Sequence, residues 1–261
     1  MVTKSYLKYI FLIQARTNST RFPKKVLEPV FNAKTLIEII YNRVILSKYA
    51  QKDNVYILTT NNKDDDIFEK FLQEKNFRYF RGEEENVYQR FYDFLSENIL
   101  DYSSIKYLVR ICADNPLLEP SFIDDMINYI ETGDDEPDYV SYKDRNGSPA
   151  ILTHFGFFSE LIKVKTFIEA KKNVRTNYDK EHVTTIFYTS DKINKHLIEM
   201  PPSLNDLPLR LTFDTKEDLI IVKEIFNKLG DKADYLEIME FIRNRENLQI
   251  QMKNNILRNK K

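Results

Sequence analysis

The chain has 261 residues, with 39 Lys and Arg against 40 Asp and Glu, so its formal net charge is −1. This length suits one large α/β domain that buries its core without metal or disulfide support. The near-zero charge argues against nucleic-acid-binding proteins, which usually carry a basic excess. The single cysteine, Cys112, excludes an intramolecular disulfide and a multi-cysteine metal site, and indicates the reducing cytoplasm.

No apolar run reaches the length of a membrane span. Residues 9–13 are too few for a signal-peptide core and lead into Gln-Ala-Arg rather than a small-residue cleavage site. Glycines are scarce, and none precedes Gly82. A dinucleotide-binding fingerprint and a Walker P-loop both need glycines directly after the first strand, so both are excluded there.

Apolar runs alternate with segments of helical periodicity in the first half of the chain. The predicted elements are strands at 8–15, 55–59, 77–80 and 105–112, and helices at 35–49, 64–75, 87–99 and 121–130. This alternation predicts βαβ units with right-handed crossovers and a mostly parallel sheet.

The second half is less regular. We predict strands at 138–142, 155–158 and 209–213, helical segments at 159–171, 178–189 and 217–229, and loops at 143–149 and 201–208. Thr215 and Asp218 are typical of a helix N-cap pair. The tail at 243–261 is polar, and we expect a solvated helix end there.

The first predicted strand runs into a loop with four cations within ten residues: Arg16, Arg21, Lys24 and Lys25. Ligands of open α/β sheets bind beyond the carboxyl ends of the strands. A polyanion there would meet these cations, and Arg can bind phosphate oxygens through two parallel hydrogen bonds. Charge counting alone fits a solvated basic loop equally well.

Residues 14–27 resemble the signature Gln-Ala-Arg-x-Gly-Ser-Thr-Arg-Leu-Pro-Gly-Lys-Val-Leu of cytidylyltransferases of the spore-coat polysaccharide type. These enzymes are relatives of CMP-sialic acid and CMP-3-deoxy-manno-octulosonate synthetases. The resemblance covers residues 8 to about 229. It implies a Rossmann-like nucleotide-diphospho-sugar transferase fold, an α/β fold with a mostly parallel sheet flanked by helices and a small acceptor-side lid. We expect one cytidylyltransferase domain over 1–261, with 143–208 as its acceptor-side subregion.

The resemblance assigns the triphosphate of CTP to Arg16, Arg21 and Lys25. The nucleotide-binding residues that it implies are Gln14, Ala15, Arg16, Ser19, Arg21, Lys25, Asn86 and Arg90. Asn18 and Lys24 stand where the signature has glycine. Because Lys adopts left-handed backbone conformations less readily than Gly or Asn, we expect the loop to be shaped differently around Lys24.

Two predicted buried strands lead into an aspartate, Asp114 and Asp214. Either residue could also act as a cap or turn residue. Their surroundings resemble the family segments Thr-Ala-Asp-Cys-Pro-Leu and Trp-Thr-Val-Asp-Thr-Pro-Glu-Asp-Leu. Mg²⁺ prefers carboxylate and phosphate oxygens, so the resemblance implies Asp114 and Asp214 as Mg²⁺ ligands. Arg16, Lys25 and Asp114 are the catalytic residues that it implies.

Residues 178–184 resemble the family segment Asp-Arg-Glu-His-Val-Thr. The match implies that His182 binds the acceptor or helps to deprotonate its hydroxyl group, since the pKa of histidine lies near neutrality. A lone helical His could also be structural. Arg110 is the second implied acceptor-binding residue. The family stretch Pro-Arg-Gly-Leu-Asp-Val-Glu, with its acidic pair, is missing at 146–157, so the identity of the acceptor stays open.

The resemblance implies an enzyme that transfers CMP from CTP to a sugar or sugar-acid acceptor and releases pyrophosphate, for surface glycan biosynthesis in the cytoplasm. Its partners would be CTP, a small-molecule acceptor and Mg²⁺, with no nucleic acid and no membrane. A homodimer is left open.

Three alternatives remain at this point. The acceptor could be a phosphorylated small molecule other than a sugar. The chain could be a glycosyltransferase that uses a nucleotide sugar, although such enzymes usually show Asp-x-Asp where this chain has Asp114, Asn115 and Pro116. It could also be a nucleotide-binding protein without turnover.

Overall fold

The structure is a computed structural model that describes residues 8–98 and 104–259. In chain order its elements are β1 (Tyr9–Gln14), β2 (Pro29–Phe31), β3 (Lys34–Thr35), α1 (Leu36–Val44), β4 (Val55–Thr60), α2 (Asp66–Glu74), β5 (Tyr79–Gly82), α3 (Val87–Asn98), β6 (Tyr107–Cys112), α4 (Pro120–Thr132), β7 (Tyr139–Lys143), β8 (Glu160–Lys163), α5 (Val164–Ala170), α6 (Asn177–His182), α7 (Thr185–Thr189), β9 (Lys195–Glu199), α8 (Lys216–Leu229), α9 (Tyr235–Arg243) and α10 (Glu246–Arg258).

Seven strands form one sheet in the order β5-β4-β1-β6-β8-β7-β9. β1 pairs in parallel with β4 and β6, and β4 pairs in parallel with β5, as the alternation in the sequence predicts. β8 runs antiparallel to both β6 and β7, and β9 is parallel to β7. The carboxyl ends of β1, β4, β5 and β6 therefore meet at one edge of the sheet.

Helices cover both faces of the sheet. Phe11 and Ile13 of β1 face a core shared with α1, α2, α4 and the C-terminal helices α8 to α10. Ile10 and Leu12 face a second core shared with α3, α5 and α7. A strand buried on both faces carries apolar residues throughout, which is why β1 is visible in the sequence as a continuous hydrophobic run. The mostly parallel Rossmann-like α/β fold is confirmed. No helix in the described part of the chain is long and apolar enough to cross a membrane.

The structure corrects four predictions in the second half. Residues 155–158 form no strand, and the predicted helix at 159–171 begins with strand β8 before α5 follows. The helical segment at 178–189 is divided into α6 and α7 at Val183, whose φ is +51°. Residues 209–213 form no sheet strand. Short apolar runs do not distinguish strands from helices, so periodicity alone could not settle these elements.

The sequence analysis missed β9, the short β2–β3 hairpin and α9. The prediction of a solvated tail is wrong over α10, because Leu248 and Met252 of that helix are buried. Residue 99 of the helix predicted at 87–99 and residues 260–261 of the tail lie outside the described residues. The strands β8 and β9, which fall within 143–208, belong to the main sheet.

Asp218 fixes the extended segment before α8. Its carboxylate accepts hydrogen bonds from Nε and Nη2 of Arg210 at 2.8 and 2.9 Å, and from the backbone N–H groups of Asp214 and Thr215 at 3.0 Å each. Asn255 of α10 donates to the same carboxylate at 3.3 Å. The capping box formed by Thr215 and Asp218 confirms the predicted N-cap pair. One buried carboxylate thus joins the segment before α8 to two helices.

We predict that Asp218→Asn lowers the free energy of unfolding by about 3–5 kcal/mol, because it removes the carboxylate that accepts two hydrogen bonds from the buried Arg210 guanidinium. Urea denaturation measures the change. The matched control is Glu217→Gln at the neighbouring exposed carboxylate, for which we expect a change within about 0.5 kcal/mol. Equal small changes in both variants would contradict the structural role of Asp218.

Candidate active site

The loop that follows β1 is anchored to β4 through Asp65. The backbone N–H of Thr17 donates to one oxygen of this carboxylate at 2.8 Å, and the hydroxyl of Thr59 donates to the other at 3.0 Å. The hydroxyls of Thr17 and Thr60 bind it as well. Although burial alone would raise the pKa of Asp65, these hydrogen bonds lower it below its usual value. An ionised carboxylate therefore holds the start of the loop at the sheet edge.

Lys24 adopts φ +58° and ψ +20°, a left-handed conformation that glycine takes easily. Its backbone N–H donates to the carbonyl of Thr17 at 2.7 Å, which closes the loop. Instead of a loop shaped differently around Lys24, the structure shows a strained backbone at this residue. The strain costs about 1–2 kcal/mol for a residue with a Cβ. Asn18 is not left-handed, and its amide donates to Glu84 Oε1 at 3.1 Å.

The loop cations surround the carboxylate of Asp214. Arg21 Nη2 and Lys25 Nζ lie 3.0 and 3.1 Å from its Oδ1, and Arg210 Nη2 lies 3.6 Å from its Oδ2. Lys25 also donates to the carbonyl oxygen of Phe213 at 2.9 Å. The side chain of Asp214 is 4% exposed, whereas that of Arg21 is 49% exposed. This cation cluster of Arg21, Lys25 and Arg210 has a local excess of positive charge that can attract an anion.

Asp114 lies beside this cluster, because its backbone carbonyl accepts a hydrogen bond from Phe213 N at 2.7 Å. Its carboxylate forms no hydrogen bond or ion pair with any residue that the structure describes. Within residues 8–98 and 104–259, no group of three or more Asp, Glu, His or Cys side chains could hold a metal ion. Mg²⁺ takes one or two protein carboxylates and completes its shell with phosphate and water. A pair such as Asp114 and Asp214 therefore fits Mg²⁺ bound together with a phosphate.

A cavity of about 40 Å³ opens beside Asp114. Its lining includes the side chains of Ser159 and Thr212, whose hydroxyl oxygens are buried and have no hydrogen-bond partner in the described structure. Ala150 and Ile151 supply part of its apolar wall. The cavity is large enough for a small polar group, which those hydroxyls could bind.

Arg90 and Asn86 shape the loop before α3. Arg90 is buried, and its guanidinium donates to the carbonyls of Glu83 and Glu84 at 2.8 and 3.0 Å. Burial, together with the positive charge of Arg16, lowers the pKa of Arg90 to about 10, so it stays protonated at neutral pH. Asn86 caps α3, since its Oδ1 accepts a backbone hydrogen bond from the first turn at 3.0 Å. Both residues thus fix the backbone that faces Arg16.

The remaining loop residues are arranged as follows. Arg16 Nη1 donates to the carbonyl of Glu84 at 3.5 Å, a long contact that leaves its guanidinium available to a ligand. Ala15 is buried and its N–H extends the pairing of β1 with β4 through Leu58 O at 3.1 Å. Ser19 Oγ accepts a weak hydrogen bond from Phe22 N at 3.4 Å.

A buried polar network lies on the α3 face of the sheet. Arg110 on β6 donates through Nη1 to Glu160 Oε2 at 2.5 Å and through Nη2 to Gln14 Oε1 at 3.0 Å. Its Nη1 also lies 3.5 Å from the hydroxyl of Thr184, at the junction between α6 and α7. The hydroxyl of Tyr139 donates to Glu160 Oε1 at 2.5 Å. We refer to Tyr139, Glu160, Arg110 and Gln14 as the buried relay.

Glu160 was not predicted from the sequence. Gly156 and Glu160 have the same spacing as Gly and Glu in the family stretch Pro-Arg-Gly-Leu-Asp-Val-Glu, and this spacing is the signal that could have found Glu160. At this spacing Phe158 stands at the position of the Asp of that stretch. Gly156 has φ +71°, and a Cβ there would lie 2.7 Å from the backbone of Leu211, so only glycine fits.

His182 ends α6 and is exposed at the surface, with its ring centroid 4.1 Å from that of Tyr178. The next residue, Val183, is buried and has φ +51°, which is unusual for a β-branched residue. This turn brings Thr184 into contact with Arg110. His182 is consequently held two residues before Thr184, which contacts Arg110 of the buried relay.

We predict that Lys24→Gly stabilises the protein by about 1 kcal/mol, because glycine removes the left-handed strain at the cost of some extra chain entropy. Urea denaturation checks this value. Lys24→Ala is the matched control, since it removes the same charge but keeps a Cβ, and we expect no gain from it. A gain of equal size in both variants would mean that charge, not backbone strain, is responsible.

Comparison with known proteins identifies the family of this chain. The family model described as cytidylyltransferase matches residues 10–257. The spore coat polysaccharide biosynthesis protein SpsF of Bacillus subtilis (strain 168) is 31% identical over 230 residues, which cover 86% of this chain and 89% of that protein.

Two solved structures are similar to this chain. A cytidylyltransferase from Leptospira borgpetersenii serovar Hardjo-bovis (strain JB197) has a TM-score of 0.78 and 25% identity, with 93% of this chain and 96% of that chain covered. The CMP:2-keto-3-deoxy-manno-octonic acid synthetase complexed with CTP has a TM-score of 0.61 and 12% identity, with 85% and 99% covered. At this low identity, the second likeness concerns the fold alone.

Proposed function

Because the chain belongs to the cytidylyltransferase family, we propose that it transfers CMP from CTP to a sugar or sugar-acid acceptor and releases pyrophosphate, for the synthesis of a surface glycan. It is a CTP-dependent nucleotidyltransferase. The observation that best supports the assignment of the site is the cation cluster around Asp214 beside the unpaired carboxylate of Asp114. The glycan role rests on the likeness to SpsF.

The triphosphate of CTP is bound by Arg16, Arg21 and Lys25 in this proposal. Without ligand, Arg21 and Lys25 are paired with Asp214. Phosphate oxygens can replace that carboxylate as their partners, because both are anionic acceptors of charge-assisted hydrogen bonds. The acceptor oxygen then attacks the α-phosphorus, and pyrophosphate leaves. Orientation and charge neutralisation by these residues supply most of the rate.

The family generally uses a divalent metal ion, and we propose that Mg²⁺ binds to Asp114 and Asp214. Within residues 8–98 and 104–259, the carboxylate of Asp114 has no hydrogen-bond or ion-pair partner that it would need to exchange for a metal ion. Asp214 becomes available as Arg21 and Lys25 exchange its carboxylate for phosphate. When bound, Mg²⁺ acts as a Lewis acid on the phosphate and as a template for the reacting groups.

The acceptor is bound on the side of the cavity next to Asp114. The unpartnered hydroxyls of Ser159 and Thr212 suit a hydroxyl group of a sugar. His182 approaches the acceptor from the surface and supplies an imidazole that can form a hydrogen bond to the acceptor hydroxyl. Arg110 is buried and acts on the acceptor side indirectly, through its contact with Thr184.

The test of this function is pyrophosphate release from CTP with Mg²⁺ and a panel of sugars and sugar acids. We expect release with CTP, little with ATP or GTP, and dependence on one acceptor class. Hydrolysis of a CMP- or UDP-sugar without pyrophosphate release from CTP would instead indicate a glycosyltransferase. We place the reaction in the cytoplasm, where a single reduced cysteine is expected.

We predict that Asp114→Asn and Asp214→Asn each lower turnover by about a hundredfold or more, the size of loss typical of a single electrostatic stabiliser. Turnover across a Mg²⁺ titration measures the effect, with thermal melting as the control for folding. Asp114→Asn should leave the melting temperature unchanged, because its carboxylate has no partner among the residues that the structure describes. Near-normal turnover of both variants at ordinary Mg²⁺ concentrations would refute the metal assignment.

We predict that Arg21→Ala weakens binding of CTP more than binding of CMP, because Arg21 contacts phosphates that only CTP carries. Calorimetric titration of both nucleotides measures the two affinities. Lys24→Ala is the matched control, as it removes a neighbouring exposed cation that lies outside the cluster around Asp214. Equal losses for CTP and CMP in Arg21→Ala would contradict the assignment of Arg21 to the triphosphate.

A further inference from the structure

The side chain of Gln14 and the loop that follows β1 lie on opposite faces of the sheet. Side chains of β1 alternate, and Gln14 follows Ile10 and Leu12 on the face covered by α3. The loop that carries Arg21 and Lys25 packs through Phe22 and Val26 into the core of the other face. A nucleotide bound at this edge would therefore meet cations on one side and a neutral carboxamide on the other.

The buried relay fixes the orientation of the Gln14 carboxamide. A guanidinium can only donate hydrogen bonds, so the atom of Gln14 that lies 3.0 Å from Arg110 Nη2 must be the oxygen. The amide nitrogen of Gln14 consequently points away from Arg110. No group in the described part of the chain accepts a hydrogen bond from that nitrogen. Gln14 thus presents a fixed, unused donor at the carboxyl edge.

Arg110 and Tyr139 keep their roles as hydrogen-bond donors near neutral pH. Burial disfavours the charge of Arg110, but the neighbouring Cys112 and Glu160 outweigh it and hold the pKa of Arg110 above its usual value. Burial, followed by the charge of Glu160, raises the pKa of Tyr139 well above its usual value, so its hydroxyl remains a donor. Arg110 therefore remains a donor to the Gln14 oxygen near neutral pH.

The free energy needed to bury the charges of Arg110 and Glu160 also indicates that the relay has a role other than stability. The side chains of Arg110 and Glu160 are only 4% and 2% exposed, so both charges have lost their hydration. Well-packed apolar residues often replace such a buried ion pair without loss of stability. An ion pair placed directly beneath the ligand edge, and connected to a residue at that edge, is better explained by the orientation that it imposes.

We propose that Gln14 donates a hydrogen bond to N3 of the cytosine ring, and that Glu160, acting through Arg110, is the positioning residue for this contact. This inference rests on the proposed function, because it takes CTP as the substrate. The anionic end of CTP is neutralised by Arg16, Arg21 and Lys25, which leaves the neutral base for a neutral donor. N3 of cytosine is an acceptor, whereas N3 of uracil carries a hydrogen, so a fixed donor selects cytosine and opposes uracil.

The test is the ratio of affinities for CMP and UMP, which share one phosphate and one sugar and differ only in the base. Gln14→Glu keeps an acceptor oxygen for Arg110 but replaces the donor with a second acceptor oxygen, which suits N3–H of uracil. We expect the preference for CMP over UMP to fall by about tenfold or more, with the melting temperature at or above that of the unmodified chain. Glu160→Gln should change the ratio in the same direction by a smaller factor.

Glu119→Gln is the matched control for a weakened buried ion pair. Glu119 lies 3.8 Å from the buried Arg43 and accepts a hydrogen bond from the backbone of Tyr235, away from Gln14. This variant should lose stability and keep the CMP preference. A folded Gln14→Glu variant with an unchanged ratio would overturn the proposal, as would equal binding of CMP and UMP by the unmodified chain. Pyrophosphate release from CTP by the unmodified chain reports on the proposed function separately.

Discussion

The contact of Asp214 with Arg21, Lys25 and Arg210 is the interaction on which the rest of the site depends. A buried carboxylate without a partner, or three cations without a carboxylate, would each be unfavourable. Together they join the loop after β1 to the segment before α8, although these parts are far apart in sequence. The ligand-free protein therefore holds its phosphate-binding cations in place with its own carboxylate.

The same contact explains how one set of residues can act in both the ligand-free and the nucleotide-bound protein. In the proposed exchange, Arg21 and Lys25 pass from Asp214 to the triphosphate, and Asp214 then binds a metal ion together with Asp114. Arg210 stays with Asp218, which accepts two hydrogen bonds from it. The backbone at Asp214 is thus held by a neighbour that does not take part in the exchange.

The sequence was most informative where burial is complete on both sheet faces. Continuous apolar runs identified β1, β4 and β6, and the chemistry-bearing residues directly after β1 and β6 followed from the rule that ligands bind at carboxyl ends. Residues 209–213, with Leu209, Leu211 and Phe213, also predict a strand. Their backbone N–H groups instead donate hydrogen bonds to the carbonyls of His154 and Asp114, which lie in loops. No local sequence pattern predicts these partners.

Residues whose partners are distant in the sequence were missed. Asp65 anchors Thr17 across 48 positions, and Glu160 pairs with Arg110 across 50 positions. From the neighbouring sequence alone, each of these acidic residues would be expected at the protein surface, because charged residues are mostly exposed. The strain at Lys24 was anticipated only in part, since the sequence showed an unfavourable residue but not that the hydrogen bond to Thr17 would hold it in the left-handed conformation.

The exchange of partners at Asp214 is tested most directly by a crystal structure with CTP and Mn²⁺, in which anomalous scattering locates the metal ion. We predict an anomalous peak within coordination distance of the carboxylates of both Asp114 and Asp214. We also predict that Arg21 and Lys25 bind phosphate oxygens rather than Asp214. A metal peak away from these carboxylates, or bound CTP with the ion pairs to Asp214 intact, would contradict the exchange.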